Sequence, residues 1–101
     1  MSEVFRIEVQ DDVIAVQGDL DAQTAHQLDG AIDGVVADGR RTVTLDLAEL
    51  EFVDSSGLRS MVLARGEDGE REVVLRSPSE SVVRLLDIAG LADVFVIDPS
   101  A

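Results

Sequence analysis

A chain of 101 residues is sized for one domain, here taken as 1–101, and its 46% hydrophobic content offsets chain entropy, which excludes a disordered polypeptide. The formal charge of −13 argues for no nucleic acid partner, because a phosphate backbone is neutralised by clustered cations and only Arg40 and Arg41 are adjacent. Without cysteine there is no disulfide framework, thiolate zinc site or cysteine nucleophile. The apolar runs are far shorter than the ~20 residues that cross a bilayer, so no direct membrane insertion is expected. No basic start precedes an apolar stretch, and the expected compartment is the cytoplasm. So acidic a surface favours a basic partner face and salt-sensitive association, or serves solubility alone.

Val4 to Val9 sets Phe5, Ile7 and Val9 against Arg6 and Glu8, the period of a half-exposed strand. Gln10-Asp11-Asp12 predicts a turn, and the run Val13–Val16 a strand covered on both faces, completing an antiparallel hairpin. Gly18-Asp19-Leu20-Asp21 is expected to break that strand, with Asp21 capping a helix over Ala22–Ala37 that stops at Gly39. Gly30 and Gly34 share a face of this helix and predict a close approach there. Thr42–Leu47 alternates as a strand leading straight into Asp54-Ser55-Ser56-Gly57, and a short helix follows from Gly57 to Arg65, closed by Gly66. Val73-Val74-Leu75 reads as a buried strand, and Ser77-Pro78-Ser79-Glu80 as a capping box with proline at the first helical position. Val82, Leu85, Leu86 and Ala89 form the inner stripe of that helix, Gly90-Leu91 fits a Schellman stop, and Val94–Ile97 is the last strand before a loose tail, Asp98–Ala101.

The order β-β-α-β-α-β-α-β implies an α/β fold with a mostly parallel, five-stranded mixed sheet, right-handed crossovers and three to four helices. The loops after parallel strands share one rim, so Asp19 and Asp21 should meet Asp54–Gly57 there. A serine at a helix start is a phosphate position, because the first-turn N–H groups lack intrahelical partners and carry partial positive charge. Ser55 and Ser56 are both candidate acceptors by this chemistry, and plain helix capping explains the same residues without any regulation.

The segment Leu45-Asp46-Leu47-Ala48-Glu49-Leu50-Glu51-Phe52-Val53-Asp54-Ser55-Ser56-Gly57-Leu58 resembles the signature of STAS domains, specifically bacterial anti-sigma factor antagonists. Gly18-Asp19-Leu20-Asp21 and the Ser77-to-Leu91 helix with its Gly-Leu ending also look like the family, so the resemblance covers the whole chain. It implies the STAS fold and makes Ser55, directly after the aspartate, the phosphorylated residue. It further implies partners: an anti-sigma factor with serine kinase activity, bound by the unmodified chain so that a sigma factor is freed, and a PP2C-type phosphatase. Asp19, Asp21, Asp54, Ser55, Ser56, Gly57 and Arg59 are the expected partner-binding residues. Between Leu58 and Val73 the chain is shorter than usual for the family by about one helical turn, ~3.6 residues.

Phosphorylation would add about −1.5 to −2 charges beside Asp19, Asp21 and Asp54, with Arg59 one turn downstream as counter-ion. Moving a complex from mostly bound to mostly free takes ~5.5 kcal/mol, which places Ser55 well inside the contact surface. No enzymatic role is expected, since Gly-x-Ser-x-Gly and Walker glycine loops are absent and the one histidine, His26, reads as an exposed helix residue. Asp19 and Asp21 lack the rest of a calcium loop, so no metal or other cofactor is expected. The competing reading is a STAS subunit of a membrane transport complex that docks on a cytoplasmic ATPase without phosphorylation. A monomer is expected.

Overall fold

The computed structural model describes residues 5–99. Val4, where the first strand is predicted to begin, and Ser100 and Ala101 of the predicted tail lie outside the described residues. Strands β1 (Arg6–Gln10) and β2 (Val13–Leu20) form the expected hairpin, with Gln10 opposite Val13 and Asp11 in the turn at φ 58°. Aspartate tolerates this left-handed conformation better than branched residues do.

Strand β2 does not break at Gly18. It continues through Leu20, and Gly18, at φ 92°, absorbs a register irregularity between itself and Asp19. Glycine reaches that conformation without a Cβ penalty, and the extra residue of the bulge, Glu51, lies on the strand paired with it, so β2 runs on unbroken. Helix α1 (Ala25–Ala37) then starts later than predicted. The Asp21 carboxylate accepts the N–H groups of Gln23 and Thr24 at 3.0 and 3.2 Å, so it closes a separate turn ahead of the helix. Ala25, Leu28, Ile32 and Val35 are buried, and Gly39, at φ 79°, ends the helix as expected.

Strand β3 (Thr42–Asp46) is not followed directly by the switch loop. A strand missing from the sequence reading, β4 (Leu50–Val53), intervenes before helix α2 (Ser55–Leu63). Its buried residues are Leu50 and Val53, three apart, while Glu51 and Phe52 are exposed. That spacing hides a strand from a period-of-two reading. Strand β5 (Glu72–Arg76), helix α3 (Glu80–Ile88) and strand β6 (Val96–Asp98) complete the order.

Helix α3 keeps its predicted place but not its predicted cap. Ser79 is the cap, its hydroxyl accepting the Val82 N–H at 3.2 Å, and Pro78 precedes it instead of opening the helix. Val82 and Leu86 are buried, Leu85 is half-buried and Ala89 is exposed. The Schellman stop is present: Leu91 N–H donates to Leu86 O at 2.8 Å and Gly90 N–H to Asp87 O at 3.1 Å, with Gly90 at φ 76°.

The fold class is the mixed, mostly parallel α/β architecture read from the sequence, with six strands instead of five and three helices among the described residues. The strand order is β1-β2-β3-β5-β6, with β4 paired to the C-terminal end of β2, and every pairing except β1–β2 is parallel. Each crossover steps the same way along the sheet, so right-handed connections put all three helices on one face. Burial follows: Ile14, Val16 and Leu20 of β2 are buried while Val13, Ala15, Gln17 and Asp19 are only half-covered. Val13–Val16 is therefore covered on one side, contrary to expectation, and the apolar run reflects a bare face that tolerates valine and alanine.

Gly30 and Gly34 are also corrected. Both are exposed, and a Cβ on either meets nothing within 4 Å, because they lie opposite the Leu28–Ile32–Val35 stripe. Replacing either with alanine should raise stability by about 1 kcal/mol through reduced freedom of the unfolded chain and better helix propensity. In thermal unfolding this corresponds to a rise of roughly 4–8 °C per substitution for a domain of this size.

Candidate functional site

Asp54 joins the sheet to helix α2. Its N–H donates to Leu20 O at the end of β2, at 3.1 Å. Its carboxylate Oδ1 accepts the N–H groups of Ser56 and Gly57 at 2.9 and 3.2 Å, and its carbonyl accepts Leu58 N–H at 3.0 Å. The helix consequently begins at Ser55, two residues earlier than predicted, with Asp54 as its cap.

Gly57 is buried for lack of space, not for backbone freedom. A Cβ there would lie 2.6 Å from Val53 Cγ2 and 2.7 Å from Leu20 Cγ. Helix α2 thus rests directly on the ends of β2 and β4, with Leu58, Ser60 and Met61 turned into the core. Its far end is held by Arg71, whose Nε donates to Ala64 O at 2.9 Å and whose Nη1 lies 3.2 Å from Glu70 Oε2. A cation on the last carbonyls of a helix is favourable for both hydrogen bonding and dipole. Sequence reasoning did not single out Arg71, and a lone arginine after a charged turn carries no signal for this role.

The predicted residues are brought to one rim. Asp19 pairs with Phe52 and Leu20 with Val53, so Asp19 and Asp21 leave β2 beside Asp54–Gly57 leaving β4. Ser55 is exposed in the first position of α2, Ser56 is half-buried, and Arg59, also exposed, lies four residues on along the same side of the helix. Ser55 makes no hydrogen bond through its side chain among the described residues. The amides of Ser56 and Gly57, expected to receive a phosphate, are already occupied by Asp54. Arg59, and not these two amides, would be left as the counter-charge to a phosphate on Ser55.

The Asp21 carboxylate is committed to the turn before α1, where Thr24 Oγ1 also donates to Asp19 O at 2.9 Å. Among the described residues no group of three His, Cys, Asp or Glu side chains could hold a metal ion. His26 is exposed near the start of α1. No described helix is long and apolar enough to cross a membrane. Phe52, which the sequence reading passed over, is 52% exposed on β4 just before the capping aspartate.

A family model described as Mlab, STAS domain, matches residues 4–98. The chain is 28% identical over 87 residues to the anti-sigma-B factor antagonist of Staphylococcus aureus, covering 84% of this chain and 81% of that protein. A crystal structure of an anti-sigma factor antagonist from Mycobacterium paratuberculosis superposes with a TM-score of 0.73 at 30% identity, covering 99% of this chain and 92% of that one. SpoIIAA of Bacillus, solved in its phosphorylated form, superposes with a TM-score of 0.62 at 25% identity over 93% of this chain and 90% of its own. The chain belongs to the STAS domain family, within its anti-sigma factor antagonists, which are regulatory binding proteins.

Two substitutions separate the cap from the seat. Asp54→Ala should cost about 0.5–2 kcal/mol, the range for loss of a helix cap. Gly57→Ala should cost about 1–3 kcal/mol, as overpacking against Leu20 and Val53 forces a shift. Urea unfolding measures both, with Ser55→Ala as the comparison at near wild-type stability.

Proposed function

We propose that this chain acts as one STAS domain and is an anti-sigma factor antagonist controlled at Ser55. The unmodified form binds an anti-sigma factor that is also a serine kinase, and a sigma factor is released. ATP-dependent phosphorylation of Ser55 switches binding off, and a PP2C-type phosphatase restores it. On this reading the chain is a cytoplasmic monomer, a substrate and a binding module without catalysis of its own.

The observation that carries the reading is an exposed hydroxyl on a rigidly seated helix start. Ser55 is exposed, whereas Asp54 and Gly57 on either side are tied to β2 by a hydrogen bond and by direct packing. A kinase reaches the hydroxyl without unfolding anything, and the added phosphate meets Arg59 without disturbing the cap. Opposite an acidic or apolar part of the partner surface the same phosphate is repelled or left unpaired, and an unpaired buried charge is strongly destabilising. The neighbouring Asp19, Asp21 and Asp54 already make this rim acidic, and the phosphate adds to that charge.

The test is intact-protein and peptide mass spectrometry of the chain from its own cells, beside a Ser55→Ala variant. A single phosphate on Ser55, absent from the variant, is the expected result. The phosphorylated form should bind the kinase on the order of 10⁴-fold more weakly, the ratio needed for a full population switch. A Ser55 that stays unmodified under every growth condition, with a transporter ATPase as the co-purifying protein, would replace this reading with the transport-complex one.

A further inference from the structure

Beside the Ser55 rim, β4 and α3 leave a groove that the reading above does not use. Its walls are Phe52 and Val53 on one side and Ser81, Val82 and Leu85 on the other, with Glu51 at the lip, around a volume of about 260 Å³. That is below the ~300 Å³ at which small-molecule sites begin, so the groove is sized for a protein side chain. The lining is mainly apolar, and Phe52 stands 52% exposed at its edge. A second furrow shares Ser81 and Leu85 and runs along α3 to Ile88, which is 76% exposed.

The groove exists because of the strand order. Strand β4 pairs with β2 alone, while β5 ends at Arg76 and the chain turns away into α3. The side of β4 away from β2 is therefore closed only by helix side chains. Phe52 has Asp54 and Ser55 as its near neighbours in sequence, so a protein covering Ser55 from this side also covers the groove. The one charged residue lining the groove is Glu51; the adjoining furrow carries Glu80 and Arg84, and the chain as a whole has a net charge of −13.

We infer that this groove takes one apolar anchor side chain from the protein that contacts Ser55, on a segment flanked by arginine or lysine. The inference rests on the proposed function and adds the chemistry of the contact. An apolar anchor in a desolvated pocket with a polar rim is the arrangement that dominates interface energy, and an acidic lip selects a cationic flank. Phosphorylation of Ser55 acts at one end of the same surface, so its charge and the anchor are felt by one bound partner.

The experiment uses the serine kinase identified by its ATP-dependent phosphorylation of Ser55, titrated without ATP against the full chain. Phe52→Ala removes a groove wall, and Ser81→Arg fills the groove and offsets the charge of Glu51 from an exposed position. Glu8→Arg, on the bare sheet face, is the control. The expected result is at least a tenfold loss of affinity for both groove variants, none for the control, and unchanged thermal unfolding for Ser81→Arg. Wild-type affinity in both groove variants overturns the inference and leaves the Ser55 reading standing. A kinase that fails to bind even the unmodified wild-type chain overturns both. A benzophenone side chain at position 52 should cross-link to an apolar kinase residue beside arginine or lysine, and cross-linking to an acidic segment overturns the assigned chemistry.

Discussion

The contact of Gly57 with Leu20 and Val53 is the constraint on which the rest of the rim depends. Because a hydrogen atom stands where any other residue carries a Cβ, the first turn of α2 lies directly on the ends of two parallel strands. That closeness allows the Asp54 N–H to reach Leu20 O while its carboxylate caps the helix. Sheet, cap and helix start therefore form one rigid unit, and the serine between cap and glycine is held in a fixed place without being buried. A binding surface with so little freedom loses little entropy when a partner orders it.

Exposure and rigidity usually oppose each other, since exposed loops have few contacts to fix them. Here the backbone supplies the fixing and leaves the Ser55 hydroxyl uncommitted. Arg71 on the carbonyl of Ala64 does the equivalent work at the other end of α2, so a helix of nine residues is tied at both termini. An isolated helix of that length would be marginal in water. Its persistence comes from these ties and from Leu58 and Met61 in the core.

Much of this was legible in the sequence, and the parts that were not share a physical cause. The Gly90-Leu91 stop, the Gly39 stop and the hairpin at Asp11 are local signals, and each is found where the residues put it. The helix starts were misplaced where polar residues stand close together: Asp21 closes its own turn ahead of Thr24, Ser79 caps in place of Ser77, and Asp54 starts α2 two residues early. Which residue caps depends on how the preceding strand delivers the chain, and that is tertiary. Strand β4 was invisible because a bulge changed the spacing of its buried residues. Gly30 and Gly34 misled because propensity flags an unusual residue without saying which way its face points. At the rim, Asp54, Ser55 and Gly57 stand together at a helix start as the residues imply, whereas Phe52 was passed over, since nothing in a sequence distinguishes an exposed phenylalanine from a buried one.

The one-sided sheet gives the molecule a front and a back. Glu8, Ala15, Asp46, Arg76 and Asp98 form a continuous cross-strand row on the uncovered face, with Arg76 and Asp98 only 3.9 Å apart. Three acids and one arginine lie along it, so what distinguishes this face from the rim is the lack of a covering helix and not its charge. A fluorophore, a surface linker or a fused protein attached along that row would leave the helix layer unobstructed. The bare back is thus a natural handle, by which the domain could be immobilised or arrayed in many copies with every serine still facing outward.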